Sequence, residues 1–262
     1  MHSIVHTHLA FHIRDEGPRE GRVVMFANSL GTDLRVWDAL LPHLTPGLRI
    51  IRFDKRGHGL SDAPPAPYAM ADLASDAAAI LDRLGVRHAT FVGLSIGGMI
   101  GQTLASARPD LVSALVLMDT AARIGTPEMW QTRIAALRQG GIDSLADAVL
   151  ERWFAPEFHR DRGPELALWR NMLCRTAPEG YAGCCAAIAG ADLTETTRAL
   201  RIPVMAMAGA CDGSTPPDLV RAAAELIGAP FHVIEGAGHI PCVEQPAATA
   251  ALINAFLERT IA

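Results

Sequence analysis

Lysine is all but missing from the chain: Lys55 is the single one, and arginine supplies the other positive side chains. By itself that scarcity points to no function. The formal net charge of -5 at pH 7 leaves no basic footprint for nucleic acid, which is excluded as a partner. No run approaches the ~20 apolar residues that a membrane span needs, so no membrane partner is expected either. Met1-His2-Ser3-Ile4-Val5-His6-Thr7-His8 has no basic start and no apolar stretch before a small-residue cleavage site, which argues against a secretory leader. The cysteines (Cys174, Cys184, Cys185, Cys211 and Cys242) are odd in number and follow no framework spacing. Reduced thiols in a cytoplasm are the expectation. Internal repeats and low-complexity segments are absent, and nothing decides between a monomer and a homo-oligomer.

What is present is a large reserve of apolar residues, half of the 262, ample for a sizeable core. Short runs rich in Val, Ile and Phe recur along it. Val23 to Ala27, Arg49 to Phe53, Ala89 to Val92, Ala114 to Met118, Pro203 to Ala208 and Phe231 to Ile234 read as strands. Several are continuously apolar, as strands buried on both faces of a parallel sheet must be. Ile4 to His8 and Ala10 to Arg14 read as an N-terminal hairpin on the sheet edge. Helical patterns at Leu34 to Leu44, Met70 to Leu84, Gly97 to Ala107, Asp218 to Ile227 and Gln245 to Glu258 alternate with the strands. The expected fold is α/β, a mostly parallel eight-stranded sheet with helices on both faces. From about Thr120 to Arg198 only helical patterns occur, bounded by turn signals such as Gly140-Gly141 and Ala177-Pro178. Residues 1–119 and 199–262 are therefore expected to form the core, and 120–198 a helical cap over the C-terminal sheet edge, where open α/β folds bind ligands.

Gly93-Leu94-Ser95-Ile96-Gly97 is a G-x-S-x-G pattern. Alone such a match is weak, but a buried strand runs into it and a Gly- and Ala-rich helix leaves it. That context makes it a nucleophile elbow, with the Ser95 hydroxyl held above the sheet edge and helix N–H groups aimed at the same point. A serine needs a base. His239, in Gly236-Ala237-Gly238-His239-Ile240-Pro241 after the last buried strand, emerges at the same edge. Its rival is His58, in Asp54-Lys55-Arg56-Gly57-His58-Gly59, also after a strand. His6, His8 and His12 could suggest a metal, yet no carboxylate or cysteine accompanies them in sequence, and a shared strand face explains them better. The imidazole needs an acid. Asp212 follows the strand ending at Ala208 and completes the chain order Ser, Asp, His; Asp119 is the alternative. The oxyanion donors expected are the backbone N–H groups of Ile96 and Leu30, the latter in Asn28-Ser29-Leu30-Gly31.

These motifs together resemble the α/β-hydrolase superfamily from end to end. Asn28-Ser29-Leu30-Gly31-Thr32-Asp33 with Trp37, Gly93 to Gly98, Asp212-Gly213-Ser214-Thr215-Pro216-Pro217 and Met129-Trp130-Gln131-Thr132-Arg133-Ile134 are similar to the 3-oxoadipate enol-lactonases of aromatic catabolism. Many superfamily members have His-Gly where Asn28-Ser29 stands, a departure that fits the lactonase subgroup. The resemblance implies a cytoplasmic serine hydrolase without metal or organic cofactor, acting on a small lactone that bears a carboxylate. Trp130, Arg133, Ile134 and Leu137 fall on one helix face. A substrate carboxylate would give Arg133 a partner there, as would solvent or an internal salt bridge. Trp130 would wall the pocket. A carboxylesterase, a C–C hydrolase, a perhydrolase or a hydrolase-fold ligand receptor would share the same triad. Cys211 and Cys242 flank the acid and the histidine closely enough to approach one another, inert thiols being the better reading.

Overall fold

The computed structural model describes residues 2–260; residues 1, 261 and 262, at the ends of the expected core, lie outside the described residues. The strands are β1 (His2–His6), β2 (Leu9–Glu16), β3 (Val23–Ala27), β4 (Arg49–Phe53), β5 (Ala89–Leu94), β6 (Val112–Met118), β7 (Val204–Gly209) and β8 (Phe231–Ile234). They form one sheet in the order 1-2-4-3-5-6-7-8, antiparallel from β1 through β2 to β4 and parallel elsewhere. The all-apolar runs do what such runs must: β5 and β7 are buried along their whole length. This is the α/β architecture expected, with helices on both faces.

The helices are α1 (Met70–Arg83), α2 (Ile96–Ala107), α3 (Pro127–Gly140), α4 (Asp143–Trp153), α5 (Pro156–Asp161), α6 (Gly163–Cys174), α7 (Pro178–Ala189), α8 (Thr194–Ala199), α9 (Pro217–Glu225), α10 (Pro241–Glu244) and α11 (Pro246–Arg259). Helices α3 to α8 all lie between β6 and β7. The turn signals act as read: Gly141 takes φ 71° after α3, and Pro178 opens α7. The insertion meets the loops that leave the parallel strands. Gly57 and Gly180 are so close that a Cβ built on either would stand 2.1–2.2 Å from the Cα of the other. His239 N–H donates to Trp153 O at 2.8 Å, and Gly213 N–H to Arg152 O at 3.2 Å.

Three expectations need correcting. Leu34 to Leu44 is not one helix but two 3-10 turns, Leu34–Trp37 and Leu41–His43. Pro42 has no N–H to continue a helix, and Asp33 caps the first turn by accepting from Arg35 N–H. The first N-terminal strand sits two residues earlier than read, and the second starts one residue earlier and ends two later: Thr7, at φ 56°, and His8 make the turn that pairs His6 with Leu9. Strand β8 was read as buried, but it closes the sheet edge, and only Ile234 along it is buried. Among the described residues no helix is long and apolar enough to cross a membrane.

Candidate active site

The turn between β5 and α2 holds Ser95 at φ 58° and ψ −122°, a strained conformation for a residue with a Cβ. Small neighbours make the turn feasible. A Cβ on Gly93 would stand 2.3 Å from Gly97 O, and one on Gly97 would stand 2.0 Å from Ala27 O. Ser95 N–H donates to Met118 O at 2.9 Å, and Thr120 Oγ1 donates to Ser95 O at 2.6 Å, so the strained backbone is pinned from β6. Ser95 keeps 8 % of its surface exposed.

Asp212 and His239 come from the loops after β7 and β8 and meet at 2.9 Å between Oδ2 and Nδ1. Both are buried. Burial works to raise the Asp212 pKa, but the His239 charge, the His239 hydrogen bond and donors from Thr215 outweigh it and leave the carboxyl below its ordinary value. Ser214 N–H and Thr215 N–H donate to Asp212 Oδ1, and Thr215 Oγ1 lies 2.6 Å from Oδ2. With Nδ1–H given to Asp212, Nε2 is left as an acceptor, the tautomer that can take a serine proton. The hydroxyl hydrogen-bonded to Nε2 in this geometry is Ser29 Oγ, at 3.3 Å. Among the described residues Ser95 Oγ has no hydrogen-bond partner, the looser arrangement common in sites without substrate.

The loop after β3 lies above the elbow. Leu30 is buried, yet among the described residues its N–H donates to no protein group. A backbone N–H left without a protein acceptor is free to donate to another group. Ile96 is the first residue of α2, where helical N–H groups lack intrahelical partners. The two donors expected for an oxyanion thus belong to the loop and helix that meet at Ser95.

His58, the rival base, is placed elsewhere. Its Nε2 accepts from Gly31 N–H at 2.9 Å, it is 1 % exposed, and burial followed by the Lys55 charge keeps its pKa well below the ordinary value. Asp119, the rival acid, is fully buried beside the pair at φ 46°. Donor atoms of Asp119, Asp212 and His239 all lie within 4.8 Å of one another, close enough to hold a cation. Burial and then the Asp212 charge raise the Asp119 pKa well above the ordinary value, which works against an ionised ligand there. Its Oδ1 accepts from Gly209 N–H at 2.8 Å, while Oδ2 has no partner. Among the N-terminal histidines, His12 does find a carboxylate, Asp54 at 2.8 Å, which the local sequence did not show. Cys211 is exposed, whereas Cys242 is buried with Sγ facing Val36 O; no disulfide links them.

In the insertion, Trp130 is buried and spends its indole N–H on Ile124 O at 2.7 Å. The Arg133 guanidinium lies over the Trp130 ring, 4.8 Å from its centroid. Arg152, which sequence reasoning missed, packs its side chain against Gly213 beside the acid. Burial and then repulsion from Arg133 lower its pKa. Among the described residues neither guanidinium has an ion-pair partner, and the buried Tyr181 lies within reach of both charges. Glu244 ties the insertion to the histidine loop, accepting from Ala155 N–H at 2.8 Å and Gly238 N–H at 2.7 Å. A cavity of about 1080 Å³ lies between the 33–39 segment and α6, and its walls include neither Ser95 nor His239. Geometry and chemistry, rather than cavity size, single out the Ser95 site.

A family model described as alpha/beta hydrolase fold matches residues 22–246. The 3-oxoadipate enol-lactonase 2 of Acinetobacter baylyi is 35 % identical over 244 residues, covering 93 % of this chain and 91 % of that protein. Among solved structures, the enol-lactonase from Burkholderia xenovorans LB400 superposes with a TM-score of 0.92 at 36 % identity, covering 95 % of this chain and 97 % of that one. A thermophilic esterase from Thermogutta terrifontis, solved with malate bound, superposes at 0.91 with 28 % identity, covering 97 % of this chain and 95 % of that one.

Proposed function

The chain belongs to the alpha/beta hydrolase family, and from that premise we propose that it hydrolyses 3-oxoadipate enol-lactone to 3-oxoadipate, a cytoplasmic step of aromatic catabolism by the β-ketoadipate route. Ser95 is the nucleophile, His239 the general base and Asp212 the acid that orients it. Residues 120–198 act as a cap over them. His239 Nε2 takes the Ser95 proton as Oγ attacks the lactone carbonyl. The N–H groups of Leu30 and Ile96 hold the tetrahedral oxyanion. Collapse breaks the ring C–O bond, and the enol oxygen takes the proton from His239. The freed enol stays tethered to the acyl group and tautomerises to the ketone. Water, deprotonated by His239, then attacks the acyl-enzyme and releases Ser95.

One observation carries the substrate assignment: two guanidinium groups without carboxylate partners among the described residues lie near one another, and one of them, Arg152, packs beside the acid loop. Uncompensated cations held close together favour an anion between them. The carboxymethyl arm of the lactone is such an anion. Arg133, braced on Trp130, and Arg152 bind it, and the ring carbonyl is thereby directed to Ser95. Enol-lactonases similar over nearly the whole chain support the same assignment. The test is a KM series with Arg133→Ala and Arg152→Ala. On the enol-lactone each substitution should raise KM about tenfold or more, whereas a neutral nitrophenyl ester should be little affected. Equal effects on both substrates would remove the carboxylate clamp.

A further inference from the structure

The single lysine of the chain is fully buried, and its ammonium has no carboxylate partner within ion-pair distance among the described residues. Its Nζ instead faces three backbone carbonyls of the loop above Ser95: Ser29 O at 2.5 Å, and Asn28 O and Thr32 O each at 3.4 Å. The chain around it is equally committed to that loop. Asp54 Oδ1 accepts from Leu34 N–H at 2.8 Å, and His58 Nε2 accepts from Gly31 N–H. Arg56 anchors the segment by a two-pronged contact with Asp76 of α1, at 2.6 and 2.7 Å. Asp54, Lys55 and His58 thus grip the loop from one side, at Ser29, Gly31 and Leu34.

The consequence follows from peptide geometry. Ser29 O and Leu30 N–H belong to one planar trans peptide, so they point in opposite directions. An ammonium on the oxygen therefore stands behind the N–H assigned above as an oxyanion donor. It fixes the orientation of that peptide and draws electron density toward the oxygen, making the N–H a stronger donor. We infer that Lys55 is a positioning residue of the oxyanion hole, holding and polarising the Ser29–Leu30 peptide from the side remote from substrate. The inference rests on Leu30 N–H as an oxyanion donor.

A buried ammonium is a costly way to hold a loop, and burial lowers the Lys55 pKa to about 8, with Cys184, Asp54 and Asp33 opposing the shift. Those groups, with His58, are the titratable ones that face it. Cys184, on α7, is itself raised by burial to about 12 and stays a neutral thiol below that. His58 is kept neutral. The proton lost from this cluster near pH 8 is therefore the ammonium proton. The sign for catalysis is fixed: the charged, polarising form is present below about 8 and is lost as pH rises through it.

The test uses the whole enzyme with p-nitrophenyl acetate, a phenylboronic acid that mimics the tetrahedral adduct, and a fluorophosphonate that labels the nucleophile. Lys55→Met should lower kcat about ten- to hundredfold, below the loss for deleting a direct donor. KM should change less than about threefold, and boronate affinity should fall in parallel with kcat. Lys55→Arg should restore part of kcat and move the basic limb of the kcat profile from near pH 8 to higher pH. Lys55→Met with kcat within twofold of wild type overturns the inference. If Lys55→Met does not fold, Lys55→Arg decides, and an unmoved basic limb overturns it. Wild type that the fluorophosphonate fails to label at Ser95 sinks both the serine mechanism and this inference. Normal wild-type labelling with equally fast labelling of Lys55→Met overturns the role of Lys55 alone.

Discussion

Substituting Gly180 by alanine puts a steric wedge between the insertion and the segment that holds the proposed oxyanion loop. Gly180 lies in the first turn of α7, where alanine is by itself the better helix former by about 1 kcal/mol. Its new Cβ would stand 2.2 Å from Gly57 Cα and Gly57 O. Those are backbone atoms, so no side chain can swing away. Reaching ordinary contact at 3.4 Å requires a relative shift of about 1.2 Å between α7 and the 54–59 segment. Overpacking of that kind destabilises by about 1–3 kcal/mol, partly offset by the helix preference, for a net loss of up to roughly 2 kcal/mol and a few degrees in Tm. Activity should suffer more. Gly57 lies between Lys55 and His58, and displacements near 1 Å reduce rates by up to about a hundredfold. Gly163→Ala, where a Cβ meets nothing within 4 Å, is the matched control and should be neutral in both assays. Thermal unfolding and kcat on one ester decide the matter. Gly180→Ala with a lowered Tm and an unchanged kcat would show that the insertion braces only the fold, and the link to the oxyanion loop would be wrong.

Three further substitutions, at two positions, probe the acids around the proposed triad. Because burial and the neighbouring Asp212 raise the Asp119 pKa and so favour its neutral form, Asp119→Asn should retain kcat within a few-fold at neutral pH. Asp119→Ala leaves Gly209 N–H without its acceptor and should destabilise by about 1–3 kcal/mol in urea unfolding; equal losses for Asn and Ala would refute the neutral-acid assignment. Glu244 is raised by burial from 4.5 to about 7, so between those values the folded chain holds a proton that the unfolded chain has released. Its contribution to stability should therefore fall as pH rises from about 4.5 to 7, by at most about 3 kcal/mol and less after solvent screening. Glu244→Gln should remove that slope from the pH dependence of Tm, and an unchanged slope would exclude Glu244 as its source.

The fold and much of the site could be read from the chain because their signals are local. A continuously apolar strand, a G-x-S-x-G turn and a small-residue helix follow one another between Ala89 and Ala107, and strand ends name the loops that carry Asp212 and His239. The neighbourhood of those residues is not local, and it was missed. Lys55 meets the 28–32 loop across 23 to 27 residues, Ser29 meets His239 across 210, and Glu244 bridges to Ala155 across 89. Lys55 did carry a signal: a lone lysine directly after a buried strand is well placed to be buried itself. Arg152 carried none, since it ends an ordinary amphipathic helix. The 3-10 turns at Leu34–His43 were misread because their apolar spacing suits a helix, and only Pro42 and the Asp33 cap break it.

The most direct test of the serine lactonase assignment is the loss of ultraviolet absorbance of freshly generated 3-oxoadipate enol-lactone, followed with wild type and Ser95→Ala in parallel. Rapid loss with wild type and none above background with a folded Ser95→Ala is the predicted result. Turnover by Ser95→Ala at near wild-type rate would contradict the covalent mechanism. Wild type that leaves the lactone intact while cleaving nitrophenyl esters would contradict the substrate.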